Sequence, residues 1–405
     1  MATTRTRPTD RRASQLRGAV DVAAATLAGG LRTVAGVHWA IANQPFAALR
    51  PIPALGAASE PVRQVHDGVT GLVYAGLGAG LALVAGAARL AAAAAPDREP
   101  RGDSLAGTAV AALNGFAGDR LARDANPLAA TMGLRHRGRA LAPRRAALAA
   151  ALPAASPRVA LFVHGLACNE AMWWRHAERH YGDSLVSHGV RLERELGITP
   201  LYLRYNSGLA IADNGRRLAR LLAAVVAEWP VPLEELILVG HSMGGLVVRH
   251  AVRRGGEWAP LVRHAFYLGS PHRGAPLAKA AHAAGWLLSH VAVTSPLAEV
   301  VAARSAGVQD LRRRLHDELP ADMRHHFLAA TITRDPRHPL GAVVGDWLVR
   351  PTSALGGRRP GAVARQRFGG LTHLDLLNHP EVCAYLVAAL RSEVDSGGSP
   401  GVFPG

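Results

Sequence analysis

The sequence predicts an α/β protein: a mostly parallel sheet flanked by helices, with a helical extension ahead of it. Three observations predict this. After Pro157 the chain alternates strand and helix signals, the pattern of a parallel sheet covered on both faces. The strand segments are short apolar runs such as Val159-Ala160-Leu161-Phe162-Val163, which read as buried strands. One of them, Glu235-Leu236-Ile237-Leu238-Val239, runs directly into Gly240-His241-Ser242-Met243-Gly244, and helix-compatible Leu246-Val247-Val248-Arg249-His250 follows.

Taken in order, residues 1 to about 105 read as Ala-rich helices broken by a Pro-rich stretch at 45–61. Arg5, Arg7, Arg11, Arg12 and Arg17 precede a weakly hydrophobic stretch interrupted by Asp21. No cleavage site follows, so this is a poor signal peptide. Residues 71–88 carry no charge and reach the lower length limit for a bilayer span. Ala and Gly dominate them and bury little area each, so a packed or interfacial helix is expected rather than a span. Pro96 and the charged run at 97–103 mark a boundary. It separates a helical extension (1–105) from an α/β domain (106–395), with 396–405 as a disordered tail.

Within the domain, Met132-Gly133-Leu134-Arg135 and Ala140-Leu141 flank His136-Arg137-Gly138-Arg139, a hairpin that would open the sheet. Strands are expected at 159–163 and 201–205. An amphipathic helix follows with Asp213 or Asn214 as N-cap, carries Leu218, Leu221, Leu222, Val225, Val226 and Trp229, and stops at Pro230. Further strands lie at 235–239, 265–268 and 327–332. The apolar, helix-periodic segment at about 275–325 is a lid-like insertion above the carboxyl ends of the strands, where ligands bind. A last helix starts at Pro380.

The chemistry centres on Ser242. A strand that turns into a helix at G-x-S-x-G forces its serine into a strained conformation with the hydroxyl raised, and the flanking glycines avoid clashes. Met243 begins the helix, so its N–H points to where an oxyanion would form. A serine hydroxyl needs a base, and the base an orienting acid. His373, in Phe368-Gly369-Gly370-Leu371-Thr372-His373, is the expected base; the runner-up His379 abuts Pro380. Asp346 is the expected acid. Asp335, in Arg334-Asp335-Pro336-Arg337, reads as an exposed turn, and Asp375 as a local cap near His373. Leu166, in His164-Gly165-Leu166, is the expected second oxyanion donor. His164, Trp173, Trp174 and His241 are candidates to face the substrate, although His164 also suits loop support and the tryptophans the core.

These residues resemble those of α/β-hydrolase lipases and esterases, and within them the GPI inositol-deacylase-like branch. The likeness rests on His164-Gly165-Leu166, Gly240-His241-Ser242-Met243-Gly244-Gly245, Gly269-Ser270-Pro271-His272-Arg273-Gly274-Ala275-Pro276, Asp346 with Val349 and Ser353-Ala354, and His373, and spans about 155–395. It implies an α/β-hydrolase fold and ester hydrolysis by a Ser242–Asp346–His373 triad without a cofactor. It does not imply a GPI substrate. In such enzymes the acid is usually followed by Gly; here Trp347 follows it. The apolar insertion favours a lipid-like or other apolar acyl ester, with an amide or thioester as the near alternative. A lipid-binding, membrane-associated protein without turnover is the alternative of a different class.

The net charge of +16 comes almost wholly from arginine, Lys279 being the only lysine, as a high-GC coding bias would give. The arginines are scattered and aromatics make up only 5% of the chain, which argues against nucleic acid as a partner. Attraction to anionic lipid surfaces is compatible with this charge. Cys168 and Cys383 are too few for a disulfide framework, so a cytoplasmic protein with peripheral membrane association is the expectation. His325-His326 and His338 have no H-E-x-x-H or paired-Cys spacing and read as surface or loop histidines. No phosphate-binding or dinucleotide fingerprint appears, so neither metal nor cofactor is expected.

Overall fold

A computed structural model describes residues 101–274, 305–311, 319–356 and 363–395, with scattered positions between 18 and 74. The chain divides into two compact units, Met1–Glu99 with Asn126–Leu128, and Pro100–Ala125 with Ala129–Gly405. In the first unit, Asn126 Nδ2 donates to the Gly18 carbonyl (3.3 Å), and Arg63 pairs with Glu60 and Asp67 at helical spacing. Of the uncharged stretch 71–88, only Gly71 and Tyr74 fall among the described residues. No helix among the described residues is long and apolar enough to cross a membrane.

The second unit opens with helix α1 (Leu105–Arg123), capped by Ser104 Oγ, which accepts from Gly107 N–H at 3.0 Å. A hairpin follows, β1 (Gly133–His136) and β2 (Arg139–Leu141). His136 pairs with Arg139, and the two turn residues, Arg137 and Gly138, both have positive φ (48° and 75°). Two-residue hairpin turns of this kind match the strand twist, and Gly138 meets the demand at no steric cost.

After helix α2 (Arg145–Ala151) come β3 (Arg158–Val163), the short helices α3 (Ala177–Tyr181) and α4 (His188–Leu196), and β4 (Thr199–Arg204). Helix α5 (Ile211–Glu228), β5 (Glu235–His241), α6 (Met243–Arg254) and β6 (Val262–Leu268) follow. The rest comprises α7 (Ala306–Asp310), β7 (Arg324–Thr331), α8 (Pro339–Val344), α9 (Pro351–Ala354), β8 (Val363–Gly369) and α10 (Pro380–Asp395). The strands form one eight-stranded sheet in the order β2-β1-β4-β3-β5-β6-β7-β8. The hairpin is antiparallel to its neighbours; every pairing from β4 to β8 is parallel. This is an α/β-hydrolase fold.

Strand alternation divides the core between the two faces. Val159, Leu161, Leu236, Leu238, Ala265 and Phe327 join one cluster, with Leu218, Leu222 and Val225 of α5 and Leu246 and Val247 of α6. Ala160, Phe162, Ile237, Val239, Phe266 and Leu328 point the other way, towards Leu192 of α4 and Val382, Leu386 and Leu390 of α10. Because both faces are buried, each strand reads as an unbroken apolar run.

Two expectations are corrected. Helix α5 starts at Ile211, ahead of Asp213 and Asn214, because Asp310 of α7 supplies an Oδ2 acceptor to Ile211 N–H (2.9 Å). His325 and His326 are neither surface nor loop residues but lie buried in β7. His326 Nε2 bonds His264 Nδ1 (3.0 Å) and its Nδ1 bonds Tyr385 Oη (3.1 Å), so partners on both sides satisfy the ring. Burial beside His264 pushes the His326 ring well below the ordinary imidazole range, so it is neutral. Most of the lid-like insertion, and the tail at 396–405, lie outside the described residues. Its described helix, α7, packs beside the start of α5: Gly307 N–H donates to Gly208 O at 3.0 Å.

Candidate active site

Ser242 stands between β5 and α6 with φ 53° and ψ −124°, a left-handed conformation that a non-glycine residue adopts only when its surroundings enforce it. The surroundings here are tight. A Cβ on Gly240 would lie 2.4 Å from Gly245 Cα, and one on Gly244 would lie 2.3 Å from the Val163 carbonyl oxygen of β3. Ser242 N–H donates to Leu268 O (2.8 Å), tying the turn to β6. The residue is half-buried.

Asp346 follows α8 on a tight loop in which Gly345 has φ 69° and Trp347 has φ 80°. Trp347 therefore sits in the backbone region that favours glycine. Trp347 adopts it with its side chain 58% exposed. The loop turns the Leu348 and Val349 N–H groups onto Asp346 Oδ1 (3.0 and 2.7 Å). Asp346 Oδ2 accepts from His373 Nδ1–H at 2.7 Å, with both side chains buried. His373 N–H also donates to Asp346 O (3.0 Å). With Nδ1–H committed to the carboxylate, Nε2 is the ring nitrogen left to act as a base.

The elbow and the imidazole are neighbours through two contacts. His241, immediately before Ser242, donates from Nε2 to His373 O (3.0 Å), with the rings 4.7 Å apart. A Cβ on Gly269, next to the Leu268 that holds Ser242 N–H, would lie 3.1 Å from His373 Cε1. Gly269 therefore leaves room for the imidazole beside the elbow.

The loop after β3 passes directly over the serine, since a Cβ on Gly165 would lie 3.1 Å from Ser242 Cβ. His164 Nδ1–H donates to Gly165 O (2.9 Å), and its ring stacks on Tyr205, whose hydroxyl donates to His164 O (2.8 Å). Ala167, at φ 58°, is fixed by its N–H bond to Ser207 Oγ (3.0 Å). Leu166 thus sits between two anchored residues. Met243 is the first residue of α6, so its N–H has no acceptor within the helix.

Helix α1 braces this loop, a role that sequence reasoning missed. A Cβ on Gly115 would lie 2.6 Å from Ala167 Cα, and Asn169 Nδ2 donates to Gly102 O (3.0 Å) and Gly107 O (3.3 Å). The available signal was Gly115 and Gly118 inside an otherwise helix-forming run.

The residues expected to face the substrate lie as follows. Trp173 lies in the core, edge-on to Phe162 at 5.0 Å. His164 and His241 are fully buried and committed to Gly165 and His373. Burial lowers the His164 pKa to about 4 and takes His241 well below the ordinary range, so both are neutral supports. Trp174 packs on Tyr202 (4.5 Å) and donates to Leu185 O. Among the four, Trp174 is the one that is only partly buried. The runners-up are engaged elsewhere: Asp335 Oδ1 accepts from Arg337 N–H, Asp375 Oδ2 from Thr372, and His379 Nδ1 from Glu381 N–H.

Residues 156–287 match the family model described as the PGAP1-like alpha/beta domain. No curated protein matches the chain. Among solved structures, the mature form of Bacillus licheniformis lipase BlEst2 is similar at 20% identity, covering 58% of this chain and 92% of that one, with a TM-score of 0.41. A lipase-esterase related protein from Clostridium acetobutylicum is similar at 15% identity over 65% of this chain and 99% of its own (TM-score 0.37). Aspergillus fumigatus lipase B is similar at 15% identity over 66% and 57% (TM-score 0.39).

Proposed function

We propose that this chain, whose central segment matches the PGAP1-like alpha/beta domain, is a serine hydrolase of carboxylic esters. The observation that carries the reading is the buried His373–Asp346 pair, 2.7 Å apart, set beside a serine held at positive φ. Ser242 Oγ attacks the ester carbonyl as His373 Nε2 takes its proton, and Asp346 stabilises the imidazolium through Nδ1–H. The Leu166 and Met243 N–H groups stabilise the tetrahedral oxyanion. Collapse breaks the bond to the alkoxy group, which leaves as alcohol with the proton from His373. Water, deprotonated by His373, then releases the acid from the acyl-enzyme and frees Ser242.

A lipid-like or other apolar acyl chain is the favoured substrate class, in keeping with the apolar composition of the 275–325 insertion. Amide or thioester cleavage would use the same residues. A series of p-nitrophenyl esters from acetate to palmitate tests the reading. Hydrolysis is expected to rise with chain length and to fall by at least about 10⁴-fold in Ser242→Ala. Equal, background-level hydrolysis by wild type and Ser242→Ala, with lipid binding retained, would favour a non-catalytic lipid-binding protein.

A further inference from the structure

Among the described residues, one cluster of metal-ligating side chains lies outside the proposed acyl-transfer residues. His176 and His180 stand one helical turn apart, His176 immediately before α3 and His180 within it. Asp375, nearly two hundred residues later, opens the short turn Asp375–Leu377 just after His373. Leu376 and Leu377 are buried in the same core cluster as Trp173, which brings the two segments together. One ligand atom from each of His176, His180 and Asp375 lies within 4.8 Å of the others, and His176 Nδ1 is 3.9 Å from Asp375 Oδ1.

We propose that His176, His180 and Asp375 hold a divalent transition-metal ion of the zinc type. Two imidazoles and one carboxylate are a donor set for such ions, whereas calcium or magnesium would require more oxygens. The carboxylate is already oriented. Asp375 Oδ2 accepts from Thr372 N–H (2.8 Å) and Thr372 Oγ1–H (2.6 Å), leaving Oδ1 for the metal, the outer-sphere support that ligating carboxylates have.

His176 has φ 55°, and this left-handed residue starts the helix at the angle that sets its ring near that of His180, 5.9 Å away. The side chain of His176 is exposed and that of His180 half-buried, so rotation can close the ligand atoms to the roughly 3.4 Å spacing of a tetrahedral zinc site. His379 lies 5.1 Å from His180, but its Nδ1 serves Glu381 N–H, so the site has three protein ligands and an open position.

A metal here would cross-link the loop that carries His373 to the segment behind the oxyanion loop. It is a brace independent of ester hydrolysis, and the proposal does not rest on that reading. No sequence motif announces it, because the third ligand comes from a distant segment.

Cobalt(II) titrated into the chelator-treated full chain tests the site by its visible ligand-field absorption, with zinc as competitor. Wild type and Ser242→Ala are expected to bind one equivalent alike, and zinc to displace it. His180→Ala should weaken binding at least about tenfold. So should His176→Asn, which keeps the left-handed backbone if His180→Ala proves unstable. His338→Ala, which removes an exposed histidine elsewhere, should leave binding unchanged. Zinc should raise the melting temperature of wild type but not of His176→Asn. Equal cobalt affinity in wild type, His180→Ala and His176→Asn would overturn the proposal, as would an equal loss in His338→Ala.

Discussion

At Trp347 the chain holds a large side chain where the backbone asks for glycine. With φ at 80°, a non-glycine residue costs of order 1–3 kcal/mol, and the exposed indole recovers little of it. Asparagine tolerates this region. Trp347→Asn is expected to raise the urea midpoint, by about 0.5–1 kcal/mol in stability, while ester hydrolysis persists; a lower midpoint would show that the indole contributes packing. Asp346 offers the complementary test. Its two backbone N–H partners and His373 fix the carboxylate, so Asp346→Asn should keep the fold but present the wrong hydrogen-bonding group to Nδ1. A fall of about 10⁴-fold in kcat with an unchanged melting temperature is expected. A fall below tenfold would remove Asp346 from the chemistry. Ser242, Asp346 and His373 could be nominated from sequence because motif and chain order constrain them. The burial of His241 could not, since it depends on what packs over the ring, and for His164 and Trp173 the sequence left support or core open beside substrate contact.

At the scale of elements, the crossing of β3, β5 and α6 sets the elbow. A Cβ on Gly244 would meet the carbonyl oxygens of Val163 and His164 at 2.3 and 2.4 Å, backbone that cannot move without parting the sheet. A Cβ on Gly245 would meet Ser270 Oγ, the end of a side chain that can rotate. Gly244→Ala should therefore cost at least about 2 kcal/mol and most of the activity, and Gly245→Ala clearly less. Chemical denaturation and ester assays check the order, and equal effects would contradict the account of the crossing. The strands were legible because each is an apolar run between turn signals. Two elements were not: the start of α5 is fixed by Asp310, 99 residues away, and α1 earns its place by packing on Ala167 rather than by any local signature.

The whole molecule buries several histidines in neutral form. Burial lowers His164 and His188 to about 4 and takes His241 and His326 well below the ordinary value near 6.5. Above pH 6.5 these rings are neutral whether folded or unfolded, and their contribution is fully present. As pH falls below 6.5 the unfolded chain takes up protons that the folded chain does not, so stability is lost down to about pH 4. Each shift from 6.5 to 4 corresponds to about 3 kcal/mol. The denaturation midpoint should thus drop steeply between pH 6.5 and 4, and a His188→Asn variant should show a shallower slope. A flat profile across that window would contradict the burial of these rings.

The central claim is that Ser242 is a nucleophile activated by the His373–Asp346 pair. A fluorophosphonate probe followed by peptide mass spectrometry tests it most directly. The account predicts one adduct, on Ser242, formed rapidly by the wild-type chain and at least about 10³-fold more slowly by His373→Ala. Labelling at another serine, or labelling of Ser242 at the same rate in both chains, would contradict it.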